Sequence, residues 1–133
     1  MNSYFCHKST AILHFDPRKN TQHFEPWWLL AMCDEGIVDF YRWLLRKYGI
    51  ESYTNNLWGP HISVIRGEKP KHLNNWAKCH KSTVKFNYTN QIRWDNRQHA
   101  WLDVYSKDLA ELRASLGLSY KEKFHLTLGR IDK

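Results

Sequence analysis

At 133 residues the chain has the length of one domain, residues 1–133, and can bury a core without disulfide staples. Its three cysteines, Cys6, Cys33 and Cys79, are scattered and odd in number with no Cys-x-x-Cys pair, which argues against both a disulfide framework and a zinc ribbon. A net charge of +7 and a pI near 9.4 favour anionic partners such as phosphates and nucleic acid, while the longest apolar run, residues 27–33, is too short to cross a membrane.

From the N-terminus, which lacks the layout of a signal peptide and so suggests a cytoplasmic protein, residues 10–15 (TAILHF) suit a strand. Asp16-Pro17 opens a loop that ends at Pro26, and residues 27–33 read as a second, buried strand. Apolar residues at 37, 38, 40, 41, 44, 45 and 48 fall on one helix face, with Asp34 as N-cap and Gly49 as stop. A strand over residues 61–66 is followed by a turn at 67–70 and a segment at 71–80 with no clear pattern. Residues 83–88 and 100–105 alternate polar and apolar side chains around a turn near Asp95-Asn96, the pattern of paired antiparallel strands. Ser106 caps a second predicted helix running to Leu116, with Leu109, Leu112 and Leu116 inward and Gly117 as its stop; residues 124–130 form the last strand. The order of strands, helix and strand occurs twice. It predicts an α+β fold of two similar lobes, antiparallel strands with one helix per lobe, and a central cleft.

Four His-x-Ser/Thr triplets occur. His7-Lys8-Ser9 and His80-Lys81-Ser82 sit in polar surroundings and read as surface coincidences. The other two open the same six-residue template, histidine, apolar, hydroxyl, apolar, any residue, arginine: His61-Ile62-Ser63-Val64-Ile65-Arg66 and His125-Leu126-Thr127-Leu128-Gly129-Arg130. In a strand, residues i and i+2 share a face, so each histidine projects with its hydroxyl while Ile62, Val64, Leu126 and Leu128 enter the core. Two imidazoles and two hydroxyls on one surface suit phosphodiester cleavage. One imidazole takes a proton from the attacking oxygen, the other gives one to the leaving oxygen, and the hydroxyls hold the non-bridging oxygens. Arg66 and Arg130 fall five residues after their histidines, on the opposite strand parity, and need a bend to reach a phosphate. Trp58 before the first motif, and Tyr120, Lys121 and Lys123 before the second, are further candidates for binding a nucleotide by stacking and charge. Trp27, Trp28, Trp43, Trp94 and Trp101 are assigned mostly to packing. The absence of His-x-x-x-His on the first helix, of Cys-x-x-Cys and of Asp-x-Asp leaves no recognisable metal set, and no phosphate-binding glycine loop occurs; no cofactor is expected.

The paired motifs, about half a chain apart, resemble those of the 2H phosphoesterase superfamily, the LigT-like group. That resemblance implies a bilobed α+β fold and metal-independent cleavage of RNA-like phosphodiesters, with His61, Ser63, His125 and Thr127 catalytic. Cys33-Asp34-Glu35-Gly36-Ile37, Asp39-Phe40-Tyr41-Arg42-Trp43 and the run from Trp58 to Glu68 are similar to segments of small phage proteins in that superfamily, the anti-CBASS nucleases among them. The substrate so implied is a cyclic oligonucleotide immune signal or a 2′,3′-cyclic phosphate at an RNA end, met in the host cytoplasm if the chain is phage-encoded; no protein partner is indicated. The chain departs from the pattern in having Ser63 where threonine is commoner, and in ending at Lys133 soon after the second motif, so base selection is expected to differ. The alternative from another class is a basic, aromatic module that sequesters a nucleotide or RNA without cutting it.

Overall fold

The computed structural model describes residues 4–17, 26–53, 59–95 and 99–132. In chain order these form β1 (His7–Phe15), β2 (Trp28–Met32), α1 (Glu35–Lys47), β3 (Glu51–Tyr53), β4 (His61–Arg66), a 3-10 turn at Leu73–Asn75, β5 (Thr83–Trp94), β6 (His99–Tyr105), α2 (Lys107–Ser115) and β7 (Lys123–Asp132).

The helices begin where short polar side chains satisfy their first amides. Asp34 Oδ1 accepts from Gly36 N at 2.7 Å, and Ser106 Oγ accepts from Leu109 N at 3.1 Å. Each such cap contributes about 1 kcal/mol, less than the roughly 1.5–3 kcal/mol from one fully buried leucine, so packing decides where the helices lie. On α1 the buried side chains are Val38, Tyr41 and Leu45, while Phe40 and Tyr48, predicted on the inner face, are exposed. On α2, Leu109, Ala110 and Arg113 are buried together with Leu116 just beyond its end.

The strands close into a six-stranded antiparallel barrel in the order β1-β2-β4-β7-β6-β5 and back to β1, and β3 adds a short edge along β7. This mostly-sheet barrel with two short helices corrects the expectation of an α+β fold of two lobes with a central cleft. The two runs of strands exist, β1-β2-β4 and β5-β6-β7, but each would leave two unpaired edges. Those edges satisfy one another. β1 pairs β5 from His7↔Tyr88 to Ile12↔Thr83, and β4 pairs β7 at Ile62↔Leu126, so the half-sheets are joined along both sides. One hydrophobic core results, built from Ala11, Leu13 and Phe15 of β1, Leu29 and Ala31 of β2, and the inward residues of β4 to β7, with Val38, Tyr41, Leu45, Leu109 and Leu116 packed into it. β1 starts three residues and β5 ends six residues beyond the predicted spans. β3 had no sequence signal.

Among the described residues no helix is long and apolar enough to cross a membrane.

Candidate active site

The strands that carry the two histidine motifs are hydrogen-bonded antiparallel neighbours, paired at Ile62↔Leu126. That register sets His61 opposite Thr127 and Ser63 opposite His125. Directly opposed residues in such a ladder have Cα atoms about 4.5–5.5 Å apart, and diagonal neighbours, here the two histidines, about 7–8 Å. The alternation assigns faces. Ile62, Val64, Leu126 and Leu128 are 2% exposed or less, whereas Ser63, His125 and Thr127 are exposed and His61 is half-buried. The four polar side chains therefore form a square on the face turned away from the core.

Each motif strand carries a bulge just after its hydroxyl. On β4, Leu30 pairs Ser63 but Leu29 pairs Ile65, which leaves Val64 as an extra residue. On β7, Trp101 pairs Thr127 but Ala100 pairs Gly129, which leaves Leu128 extra. A bulge interrupts the ladder and restarts the alternation. Val64 and Ile65 are both buried, as are Leu128 and Gly129, and Gly129 adopts φ 134°, a conformation that favours glycine. The carbonyls at the two bulges are held alike. Arg113 of α2 donates Nη1–H to Val64 O at 3.0 Å, and Arg42 of α1 donates Nε–H to Leu128 O at 2.9 Å. Arg113 also makes a bidentate pair with Glu68 at 2.8 and 2.9 Å and bonds Ser119 O and Oγ, so the guanidinium is fully engaged although almost wholly buried.

The bulges overturn the parity reading for Arg66 and Arg130. With one extra residue before them, both arginines return to the histidine face, and both are exposed there. The Arg66 guanidinium lies 5.1 Å from the centre of the Trp28 ring on β2. Of the other candidates, Lys123 stands opposite Tyr105 and shares the outward parity of His125; Lys121 lies with its ammonium 5.2 Å from the Phe124 ring; and Tyr120 is exposed in the segment before β7. Trp58 lies outside the described residues. Thr127 borders a cavity of about 240 Å³ formed with Gly59, Pro60 and the α1 residues Glu35, Val38, Asp39 and Arg42. The two other histidine triplets sit elsewhere: His7 and Ser9 lie on β1, and His80 ties its loop to β1 by accepting the Phe15 N–H at Nδ1, 3.1 Å.

The two imidazoles have different neighbours. His61 Nδ1–H donates to Gly59 O at 2.9 Å, which in the neutral ring fixes the lone pair on Nε2. Burial pushes its pKa below the ordinary histidine value; the Gly59 carbonyl works the other way and the Arg66 charge adds to the lowering. His125 stacks on Trp101, with ring centres 4.9 Å apart, and its Nε2 lies 3.8 Å from Asp103 Oδ1 on β6, the residue paired with it across the ladder. Burial lowers its pKa too, opposed by the Asp103 carboxylate and assisted by Lys121 and Arg93. Asp103 is held by three donors: Tyr4 Oη at 2.7 Å, Trp101 Nε1 at 2.9 Å and Arg93 Nη1 at 3.1 Å. Burial alone would raise its pKa, but the hydrogen bonds from Tyr4, Trp101 and Arg93 outweigh it and keep the group below the usual aspartate value.

Asp103, Trp101, Arg93, Tyr4, Arg42 and Arg113 were not singled out as functional residues from sequence. The alternation of residues 100–105 sets Trp101, Asp103 and Tyr105 on one face, but which strand that face adjoins is a matter of topology. Among the described residues no three His, Cys, Asp or Glu side chains converge as a metal site. Comparison with known proteins gives no match: no family model, no curated protein and no solved structure is significantly similar to the chain.

Proposed function

We propose that the chain is a metal-independent phosphodiesterase that hydrolyses an RNA-like linkage in a small nucleotide, with His61 as general base and His125 as general acid. The observation that carries this reading is the β4–β7 register, which sets two imidazoles and two hydroxyls on one exposed face. Sequestration alone needs no such pair of titratable groups. His61, neutral and with its lone pair on Nε2, takes the proton of the attacking water as the new P–O bond forms. His125, with a carboxylate beside it to favour its charged form, gives a proton to the oxygen whose bond to phosphorus breaks. Ser63 and Thr127 donate to the non-bridging oxygens, whose negative charge grows in the transition state. Motif resemblance points to a cyclic oligonucleotide signal or a 2′,3′-cyclic phosphate as substrate, and to action in the cytoplasm.

The test is chromatographic. The protein is incubated with cyclic dinucleotides, cyclic trinucleotides and 2′,3′-cyclic mononucleotides, with and without EDTA. Turnover that survives chelation is expected, with a bell-shaped pH dependence set by the histidine pair. His61→Ala and His125→Ala should each cost roughly 10²–10⁴-fold, and the double variant less than the product of the two. Loss of activity in EDTA with rescue by zinc or manganese would end this mechanism, and tight binding without turnover across the panel would favour the sequestering module.

A further inference from the structure

The barrel closes incompletely at one corner. β1 pairs β5 only as far as His7↔Tyr88, while β5 runs on to Trp94 alongside β6. Between Tyr88↔Val104 and Ile92↔Leu102, β5 holds two more residues than β6, a bulge that carries its last stretch away from β1. The Gln91 amide is taken by Thr89 Oγ1 at 3.1 Å, but among the described residues no strand pairs with the far side of residues 90–94, which leaves backbone donors and acceptors along that edge. α1 runs beside the edge in the same direction. A cavity of about 590 Å³ lies between the start of the helix and Tyr88, another of about 330 Å³ between its end and Trp94, and Leu44 and Asn90 border both. The two make one trough. Along it Phe40, Leu44 and Tyr48 recur every fourth residue on α1, while Asn90, Ile92 and Trp94 alternate on β5. Phe40 is 51% exposed, Tyr48 77% and Trp94 57%, so the trough is rimmed by aromatic surface that the fold leaves uncovered.

An open strand edge beside an apolar trough fits an added β-strand, and this edge is complementary to itself. Two copies of residues 90–94 paired antiparallel about Ile92 bring Trp94 of one opposite Asn90 of the other and Arg93 opposite Gln91, so that no like charges meet. Asn90 borders the larger cavity, whose walls include His7, Phe40, Tyr41, Leu44 and Tyr88, and the partner's Trp94 is thereby presented to an aromatic receptacle. The same twofold axis lays the two α1 helices antiparallel on one side of the joined sheet, with Phe40 toward the partner's Tyr48. An aromatic side chain buries about 150–250 Å², so Phe40, Tyr48 and Trp94 offer roughly 250–400 Å² per copy, and the strand edge with the trough walls brings this to the ~500 Å² per partner of a minimal specific interface. An unrelated peptide would have to supply an aromatic side chain at that register; this chain already carries one. We infer that the chain forms a closed twofold dimer through the β5 edge, with Trp94 of each copy seated in the aromatic cavity of the other. The inference does not depend on the phosphodiesterase reading of the histidine face.

The experiment is sedimentation velocity on the full chain from about 1 to 200 µM, for the unchanged protein and for Trp94→Ser, Tyr48→Lys and Leu73→Ser. The unchanged protein should pass from monomer to dimer within that range and stop there, as a twofold contact requires. Trp94→Ser and Tyr48→Lys should each raise the dimer Kd at least tenfold, whereas Leu73→Ser, which removes an exposed apolar side chain outside the trough, should leave it unchanged. All three positions are exposed, and circular dichroism verifies that each variant keeps the fold. Hydrogen exchange reads the backbone part: amides within residues 90–94 of the unchanged protein should gain protection as the concentration rises, and those of Trp94→Ser should not. A monomer at every concentration overturns the inference and leaves the edge to a partner of another kind. So does a dimer that Trp94→Ser and Tyr48→Lys form as tightly as the unchanged protein, a dimer without added protection at residues 90–94, or growth into open-ended assemblies.

Discussion

Replacing Arg113 with methionine tests whether the bulge on β4 depends on the helix behind it. Methionine keeps most of the alkyl volume and removes the guanidinium. The loss is dominated by Val64 O, which sits in the core and would have no donor, at about 1–3 kcal/mol. The pair with Glu68 adds less, because the glutamate side chain is 45% exposed and can return to water, so no more than about 1 kcal/mol is assigned to it. Releasing a guanidinium that is 3% exposed from the interior offsets part of the sum. The net expectation is a loss of about 1–3 kcal/mol, read as a lower urea midpoint by tryptophan fluorescence with the slope unchanged. A pH series adds a sign. Hydrogen bonding from Arg113 holds Glu68 below its ordinary pKa of 4.5, burial opposing and the charges of Arg113 and Lys121 assisting. A carboxylate with a lowered folded pKa stabilises fully above its unfolded value and loses that contribution as pH falls through the folded one. The gap between the two proteins should therefore narrow on acidification below pH 4.5. A destabilisation under about 0.5 kcal/mol at neutral pH would show that the bulge does not need the arginine.

Asp103→Asn should lower the pKa of His125, because the carboxylate is the group that raises it; the alkaline limb of the rate profile then moves to lower pH, and an unmoved limb would count against the pairing. Ser63→Ala and Thr127→Ala should slow turnover by about tenfold each, less than loss of either histidine, since each removes one hydrogen bond to the phosphate and leaves proton transfer in place. Their thermal unfolding should be unchanged, both side chains being exposed. Among the thiols, burial pushes Cys33 up to about 12 while Cys6 is exposed, so iodoacetamide at pH 8 should label Cys6 well before Cys33, as read by peptide mass; the reverse order would contradict the packing around Cys33.

How far these features could be read from the sequence follows from the range of the interactions that make them. Both helices are fixed by local events, a cap at Asp34 or Ser106 followed by apolar spacing, and both occur within two residues of their expected starts. The closed barrel is fixed by which edges meet, β1 with β5 and β4 with β7, and hydrogen bonds between residues more than sixty positions apart leave no periodic trace. Arg113 is an intermediate case. It stands four residues after Leu109 and three before Leu116, so helical geometry had already placed it on the buried face, where a charged residue must find partners; the partners themselves, Val64 O and Glu68, lie beyond any local pattern.

The repeated template is where local and distant constraints meet. Histidine, apolar and hydroxyl residues follow strand alternation, so their common face was legible from spacing alone. The arginine at the sixth position breaks that alternation in both copies, and a regular strand offers no reason for it to recur. A bulge at the fourth position does: the extra residue turns the fifth inward and the sixth outward, in β4 and β7 alike. The carbonyls left by the two bulges are then met by Arg113 from α2 and Arg42 from α1, so each helix braces the strand that presents a histidine. A six-residue period that looked irregular as a strand is thus the regular signature of a strand with one inserted residue, and it ties the outward arginine, the hydroxyl and the histidine to a single local geometry.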